Sequence, residues 1–299
     1  MVARFIIPGA LVMAIASFWA TGQGAQAASD SSAAAPQRII AVGGAVTETI
    51  FLLGAQDRLI AVDSTSQYPE AARALPNIGY MRQLAAEPIL ALSPDLVLAV
   101  GDAGPPKVLE QLRAAGIELH IIADTPTSAG VITKLTAVAE AIGAAPQGEI
   151  LSNQFRDEFT QVQTRIARLA ARPRVLFLLY TGGGPMLLAG RDTSAAGIIT
   201  LAGGRNALES VTGYKPLSPE ALAEADPDVL LVTKVALDRI GTDSLLSRPD
   251  IALTRAGREK RLIAMDALLL LGFGPRTPEA IRELAAALHG ETAFEDISR

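Results

Sequence analysis

The chain has 299 residues, 49% of them hydrophobic and 19% charged, which is enough apolar material for two domains of ordinary size. Its formal net charge of −5 argues against a nucleic-acid partner, because nucleic-acid-binding domains are usually basic. There is no cysteine, which excludes disulfide bonds and lipid attachment at a lipobox cysteine.

The N-terminus has the pattern of a secretory signal peptide. Arg4 precedes an apolar stretch over residues 5–20, and Ala25-Gln26-Ala27 fits a small-residue cleavage site. A retained membrane anchor is the alternative, but about 16 apolar residues are short of the ~20 that a spanning helix needs. The sequence therefore predicts a signal peptide over residues 1–27, a loose tail over residues 28–37, and an exported protein in the periplasm that is not embedded in a membrane.

Short apolar strands alternate with helical segments over residues 38–147. This alternation predicts a lobe with a mostly parallel sheet that is covered by helices on both faces. The predicted strands are Arg38–Val42, Leu59–Val62, Leu96–Val100 and Glu118–Ile122. The predicted helices are Val46–Leu53, Glu70–Ala74, Glu87–Leu92, Pro106–Ala115 and Ala129–Ile142.

One long helix is predicted over Gly148–Ala171, within a connecting segment at residues 148–172. Its apolar residues recur at steps of three and four, which places them on one face of a helix. They are Leu151, Phe155, Phe159, Val162, Ile166 and Leu169. About 23 residues at ~1.5 Å each give ~35 Å, enough to cross between two lobes. A rigid helical connection predicts small changes in lobe angle and a largely preformed pocket.

Residues 173–299 repeat the same scheme and predict a second lobe. A glycine-rich loop, Thr181–Pro185, follows its first strand. The predicted strands are Arg174–Tyr180, Val229–Thr233 and Arg261–Ala264, and the predicted helices are Ala195–Leu201, Glu220–Ala225 and Thr277–Leu288.

A segment that occurs once in each lobe supports this division. Glu87–Leu98 and Glu220–Leu231 each begin with a glutamate and a short apolar helical turn, which a Pro-Asp pair and an apolar strand follow. The predicted fold is therefore α/β, with two similar lobes of mostly parallel sheet, joined by one long helix, and a ligand cleft between them. The repeat also places one glutamate at a matched position on each lobe.

Motifs of catalysis are absent from the sequence, so we expect a protein that is not an enzyme. There is no Gly-x-Ser-x-Gly elbow, no His-Glu-x-x-His and no phosphate loop that ends in Lys-Ser/Thr. The two histidines, His120 in a predicted strand and His289 at a predicted helix end, are best explained as structural residues. An exported two-lobed enzyme stays an alternative that would need a nucleophile and a base.

Tyr80 is the most suggestive candidate for a ligand site. It lies in a predicted loop between Gly79 and Arg82. Ferric iron prefers anionic oxygen ligands, and phenolate is a known protein ligand of haem iron. A free tyrosine has a pKa near 10, so a phenolate at neutral pH depends on the iron and on a nearby guanidinium. An ordinary exposed loop aromatic is the alternative on spacing alone.

Several stretches resemble the periplasmic haem-binding proteins of bacterial haem-uptake ABC transporters. More broadly, the chain is similar to the helical-backbone class of binding proteins that also serves cobalamin and ferric siderophores. The matching stretches are Asp63–Gln67, Gly79–Arg82, Gly213–Ser218 and Leu270–Arg276.

The resemblance implies a monomeric periplasmic carrier that binds haem b as its transported ligand. It implies that Tyr80 is the axial ligand of the iron, that Arg82 supports its phenolate, and that Tyr214 and Lys215 line the facing lobe. It also implies that Glu87 and Glu220 dock onto the two permease subunits of the transporter. A ferric-siderophore or cobalamin carrier of the same class is the alternative.

The sequence departs from the family at two places. Some members have a histidine just before the glycine-rich loop, where this chain reads Tyr180-Thr181-Gly182, so no histidine-ligated second haem is predicted. Some also have a second-lobe arginine that reaches the iron-bound tyrosine. Lys234 and Arg239 lie near the corresponding region, and the sequence does not choose between them.

Overall fold

A computed structural model describes residues 35–290. The predicted signal peptide and most of the predicted tail lie outside these residues. The described part of the chain forms one compact unit with two sheets, one in each lobe.

The first lobe contains a four-stranded, all-parallel sheet in the order β2-β1-β3-β4. Both faces are covered, and the two central strands are buried along their whole length. Its strands are β1 (Ile39–Val42), β2 (Leu59–Val62), β3 (Leu96–Val100) and β4 (Glu118–Ile122). Its helices are α1 (Gly44–Leu52), α2 (Ala86–Ala91), α3 (Pro106–Ala114) and α4 (Ser128–Ala141), with 3₁₀ turns at Gln56–Arg58 and Glu70–Ala74.

The long helix α5 (Ala145–Arg168) carries the chain from the first lobe to the second. Its 24 residues span about 36 Å. Helix α4 packs along it, and Val131 of α4 joins the core of the second lobe while Val138 joins the core of the first. Two packed helices therefore cross between the lobes, which makes the connection stiffer than one helix alone.

The second lobe contains a six-stranded mixed sheet, with the order β10-β9-β5-β6-β8 and β7 beside β5. Strands β7, β5, β9 and β10 are parallel, whereas β6 and β8 form an antiparallel edge. The strands are β5 (Arg174–Leu179), β6 (Leu187–Ala189), β7 (Arg205–Asn206), β8 (Tyr214–Pro216), β9 (Val229–Thr233) and β10 (Leu262–Met265). The helices are α6 (Ser194–Leu201), α7 (Pro219–Ala225), α8 (Lys234–Ile240), α9 (Thr242–Leu246), α10 (Pro249–Ala252), α11 (Arg255–Arg258), α12 (Ala267–Leu271) and α13 (Thr277–His289).

Side chains of the second sheet alternate between two apolar cores. Phe177 and Leu231 pack on the side of α6 and α13, whereas Leu176 and Leu230 pack on the side of α7. This alternation follows from the two-residue period of a strand. The predicted fold class is confirmed: the protein is α/β, with two lobes of mostly parallel sheet joined by one long helix.

Candidate functional site

Tyr80 lies at the carboxyl end of the first sheet, in the loop that follows β2. Its neighbours Ile78 and Met81 are buried, at 5% and 8% exposure, and anchor the loop on the core. Tyr80 itself is 39% exposed. Gly79, with φ at 97°, turns the backbone so that buried and exposed residues alternate abruptly here. The loop therefore presents one aromatic side chain to solvent from a fixed backbone.

Arg82 forms a hydrogen bond with the Tyr80 hydroxyl. Its Nη1 donates a hydrogen bond to Tyr80 Oη at 2.6 Å, and its Nη2 forms an ion pair with Asp102, which follows β3. Burial lowers the pKa of Arg82, but its bonds to Tyr80 and Asp102 outweigh this effect and raise the pKa overall. The Tyr80 hydroxyl therefore contacts a guanidinium that Asp102 holds in place.

The loop before Tyr80 is fixed by Asp63, which is 1% exposed. Its Oδ1 accepts hydrogen bonds from the Gly43 amide and the Ser66 hydroxyl, at 2.9 and 2.8 Å. Its Oδ2 accepts from the amide and the hydroxyl of Thr65. One buried carboxylate thus ties the turn after β1 to the loop after β2.

Tyr214 on the second lobe is electrostatically coupled to Arg82 on the first. Burial raises the pKa of Tyr214, and the charge of Arg82 opposes that rise. Tyr214 begins the edge strand β8, where the neighbouring Lys215 is exposed. Successive residues of a strand point to opposite faces, so the two side chains do not share one face. The structure therefore relates Tyr214, but not Lys215, to the surroundings of Tyr80.

The glycine-rich loop after β5 rests on Arg239. The Nη1 of Arg239 donates to the Thr181 carbonyl at 2.5 Å, and a Cβ on Gly182 would collide with the same nitrogen. Gly182 has φ at 93°, which favours glycine independently of that contact. Among the two basic residues that the sequence left open, Arg239 is thus the one that contacts this loop, whereas Lys234 begins α8 with an exposed side chain.

The lobes meet below this region through polar contacts that the sequence analysis did not predict. Arg276 donates to the carboxylate of Glu48 at 2.6 and 3.1 Å, and its guanidinium stacks on the ring of Tyr68 at 3.7 Å. Burial raises the pKa of Glu48, and the Arg276 charge opposes that rise. Lys134 of α4, 1% exposed, donates to the carbonyl oxygens of Gly272 and Phe273.

Small residues allow the two lobes to approach closely at the same place. A Cβ on Gly44 would lie 2.6 Å from a methyl group of Leu268, and one on Gly274 would lie 3.2 Å from Ala45. The segments after β1 and after β10 are therefore packed without space for larger side chains, which fixes the lobe angle.

The two repeated glutamates occupy equivalent exposed positions. Glu87 lies in the first turn of α2, and Glu220 lies in the first turn of α7. The N-cap of α7 is Ser218, whose hydroxyl accepts from the Ala221 amide. The helix-start backbone and the Ser218 side chain lower the pKa of Glu220, so this group is an anion at neutral pH.

The two histidines take structural places. His120 lies on the edge strand β4 and bonds Glu118, and His289 ends α13. Burial lowers the pKa of His289.

A cavity of about 430 Å³ opens at the amino ends of the second lobe's strands, away from Tyr80. Its arginines are satisfied by the protein itself. Arg172 donates to the Leu169 and Ile166 carbonyls at the end of α5, and Arg255 pairs with Asp228 and Glu259. We assign this cavity no role in ligand binding.

Over residues 39–269 the sequence matches the model of the periplasmic binding protein family. The chain belongs to this family. The expectation from the resemblance is thereby confirmed at the level of the class, and members of the family are binding proteins rather than enzymes. No helix within residues 35–290 has the length and apolar character to cross a bilayer.

Solved structures of this family superpose well on the chain. It is 43% identical to the periplasmic haem-binding protein RhuT from Roseiflexus sp. RS-1 in apo form, with a TM-score of 0.81 over 88% of this chain and 99% of that chain. It is 40% identical to BhuT in complex with two haems, with a TM-score of 0.80 over 86% of this chain and 98% of that chain. A vitamin B12-binding protein of Yersinia pestis is 30% identical over 202 residues, which cover 67% of this chain and 71% of that protein.

Proposed function

We propose that the protein binds ferric haem b in the cleft between its lobes and delivers it to an ABC transporter. Tyr80 is the axial ligand of the iron, and Arg82 stabilises its phenolate. The observation that carries this proposal is the 2.6 Å hydrogen bond from Arg82 to the Tyr80 hydroxyl, on an anchored loop at the carboxyl ends of the strands. The similarity to RhuT and BhuT, whose names state haem binding, supports the same ligand.

The second lobe supplies the other side of the proposed site. Tyr214, which is coupled to Arg82, faces the porphyrin from β8. Lys215 meets a propionate only if its long side chain reaches around the edge of that strand. Arg239 is a further candidate to pair with a haem propionate, because it already lies beside the glycine-rich loop.

Delivery is proposed to occur through Glu87 and Glu220, one on each lobe, which would pair with basic residues of the two permease subunits. Both are exposed, and both lie in the first turn of a short helix. We also propose that the signal peptide over residues 1–27 directs export, and that the mature protein is a monomeric periplasmic carrier with lobes at residues 38–147 and 173–299 joined by residues 148–172.

The decisive experiment is a hemin titration followed by absorption spectroscopy, on the wild-type protein and on Tyr80→Phe. A matched control is Tyr68→Phe, since Tyr68 is 47% exposed on the same lobe and keeps its ring on Arg276 after the change. We expect a saturable ferric tyrosinate spectrum in the wild type and in Tyr68→Phe, and its loss in Tyr80→Phe. Tight binding with the same spectrum in Tyr80→Phe would overturn the assignment of the ligand.

Cobalamin is the second candidate ligand, because vitamin B12-binding relatives match two thirds of the chain. A cobalamin site needs no tyrosine on the metal. Titration with cyanocobalamin beside hemin separates the two ligands. If the protein binds cobalamin equally well with and without Tyr80→Phe, and shows no saturable hemin binding, then cobalamin rather than haem is the ligand. A ferric siderophore is tested in the same way with a ferric hydroxamate.

A further inference from the structure

Arg38 and Arg174 occupy equivalent positions in the two lobes, each at the start of the lobe's first strand. Arg38 immediately precedes β1, and Arg174 is the first residue of β5. The Nη2 atom of Arg38 donates to the Leu92 carbonyl at 2.6 Å, and the Nη2 atom of Arg174 donates to the Ala225 carbonyl at 2.6 Å. Leu92 and Ala225 lie at the carboxyl ends of α2 and α7, each five residues after the docking glutamate.

In each lobe, an aspartate in the turn after the short helix forms hydrogen bonds with the backbone of the arginine. Asp95 Oδ2 accepts from the Arg38 amide at 2.9 Å, and Asp228 Oδ2 accepts from the Arg174 amide at 2.8 Å. In return, the amides of Asp95 and Asp228 donate to the carbonyls of Arg38 and Arg174. The Arg-Asp pairs Arg38–Asp95 and Arg174–Asp228, here called the helix clamps, are therefore built alike in both lobes.

The turn between each helix and its aspartate is also repeated in its backbone. Ser93 has φ at 45° and Asp226 has φ at 26°, both in the left-handed region that residues other than glycine rarely adopt. Strained backbone of this kind persists where surrounding contacts over-determine it, and it is common where function needs a fixed geometry. The two helix clamps supply those contacts.

The helices need such support because they are short. Helix α2 has 6 residues and α7 has 7, well below the length at which an isolated helix is stable. Few buried apolar side chains anchor them: Ile89 of α2 at 0% exposure, and Leu222 and Ala225 of α7 at 1% and 0%. The guanidinium adds a polar contact at the carboxyl end of each helix, where its charge also complements the helix dipole.

We infer that Arg38 and Arg174 are positioning residues for transporter docking: each helix clamp fixes the direction in which Glu87 or Glu220 leaves the protein surface. This inference rests on the proposed docking role of the two glutamates. Both clamps lie at the amino ends of the strands, whereas Tyr80 and Arg82 lie at the carboxyl ends. The clamps therefore act on delivery and not on haem binding.

The test uses the full-length mature protein and a purified haem ABC transporter in proteoliposomes whose ATPase responds to it. Arg38→Met and Arg174→Met remove the guanidinium, and Arg113→Met, at an exposed position on α3, is the matched control. We expect unchanged hemin affinity and maximal ATPase rate, while the half-saturating protein concentration rises about fivefold, as when one exposed ion pair is lost. Arg38→Lys should restore part of the lost docking affinity, because an ammonium still complements the carboxyl end of the helix.

A double-mutant cycle separates positioning from general stability. If Arg38 acts through Glu87, then Arg38→Met adds nothing to the effect of Glu87→Gln. Additive effects, or an unchanged half-saturating concentration in both methionine variants, would overturn the inference. Wild-type docking by Glu87→Gln and Glu220→Gln would instead remove the docking role itself, together with this inference, while the hemin titration stands independently.

Discussion

Arg276 and Glu48 form an ion pair between the two lobes, with 2.6 Å between Nη2 of the arginine and Oε1 of the carboxylate. The Glu48 side chain is 4% exposed and that of Arg276 is 19% exposed, so water screens the pair little. The Tyr68 ring of the first lobe also lies 3.7 Å from this guanidinium, so three side chains hold the lobes together here.

Removal of the arginine should therefore destabilise the fold strongly. We expect Arg276→Met to lower the free energy of unfolding by about 3–5 kcal/mol, because it leaves a buried carboxylate without its partner. The matched control is Arg282→Met, whose partner Glu158 is 38% exposed and whose loss should cost less than about 1 kcal/mol. Urea unfolding measures the free energy of both variants. Equal losses would show that the interlobe ion pair stabilises the fold no more than the exposed one.

The pH dependence of stability should report the burial of Glu48. Burial raises its pKa above 4.5, against the opposing charge of Arg276. A carboxyl with a raised pKa in the folded state contributes stability below its unfolded pKa and loses it as pH rises through the folded value. Relative to Glu48→Gln, the wild type should thus lose unfolding free energy from pH 4.5 upwards until the folded pKa is passed. A difference that grows in the opposite direction would contradict this expectation.

Lys134 should be a second structural tie between the lobes. Its ammonium lies 2.5 Å from Asp124 Oδ1 and 3.1 Å from each of the Gly272 and Phe273 carbonyl oxygens. We expect Lys134→Met to cost roughly 2–5 kcal/mol of unfolding free energy, because it leaves a partly buried carboxylate and two carbonyl oxygens without their donor. Lys107→Met, at an exposed position on α3, should change the same urea midpoint little.

Arg82 should control haem affinity through the Tyr80 hydroxyl. Loss of a charged hydrogen-bond donor to a phenolate in Arg82→Gln is expected to weaken hemin binding roughly ten- to a hundredfold. Arg73→Gln is the control, since Arg73 donates to the Gln67 carbonyl in the same loop region. Hemin titrations of both variants decide the question, and indistinguishable affinities would remove Arg82 from the site.

Tyr214 should titrate above the usual tyrosine range. Its pKa is raised from 10.0 by burial, and the charge of Arg82 restrains the rise. The difference between ultraviolet pH titrations of the wild type and Tyr214→Phe isolates this tyrosine. The midpoint should lie above pH 10.0 and move higher still in Arg82→Gln. A midpoint that Arg82→Gln leaves in place would show that the two residues are not coupled across the lobes.

Most of the regular elements could be predicted from the sequence because their signals are local. Strands β1 to β5, β9 and β10 are short apolar runs bounded by turn residues, and the sequence predicts each of them. The long helix was predicted over Gly148–Ala171 but runs over Ala145–Arg168. It begins earlier because a proline is tolerated in the first helical turn, and it ends earlier because the Arg172 guanidinium caps the carbonyls of its last turn.

The missed elements and contacts depend on distant parts of the chain. Strands β6 and β8 have three residues each, too few for a periodic pattern, so the sequence does not predict that Tyr214 begins a strand. Arg276 and Glu48 are 228 residues apart, and nothing local indicates that they meet. The helix clamps were equally hidden, although the repeat of the glutamate segments was visible and could have prompted a search for a repeated arginine before each first strand.

The likeness of the two helix clamps has a consequence for how a symmetric partner is approached. A permease made of two identical subunits has a twofold axis. A carrier with two equivalent acidic helices can dock on such a permease in two orientations, which differ by a 180° rotation about this axis. Each glutamate then contacts either subunit. If Glu87 and Glu220 dock as proposed, the haem arrives over the translocation path with either lobe leading, and two docked orientations serve where an asymmetric carrier has one.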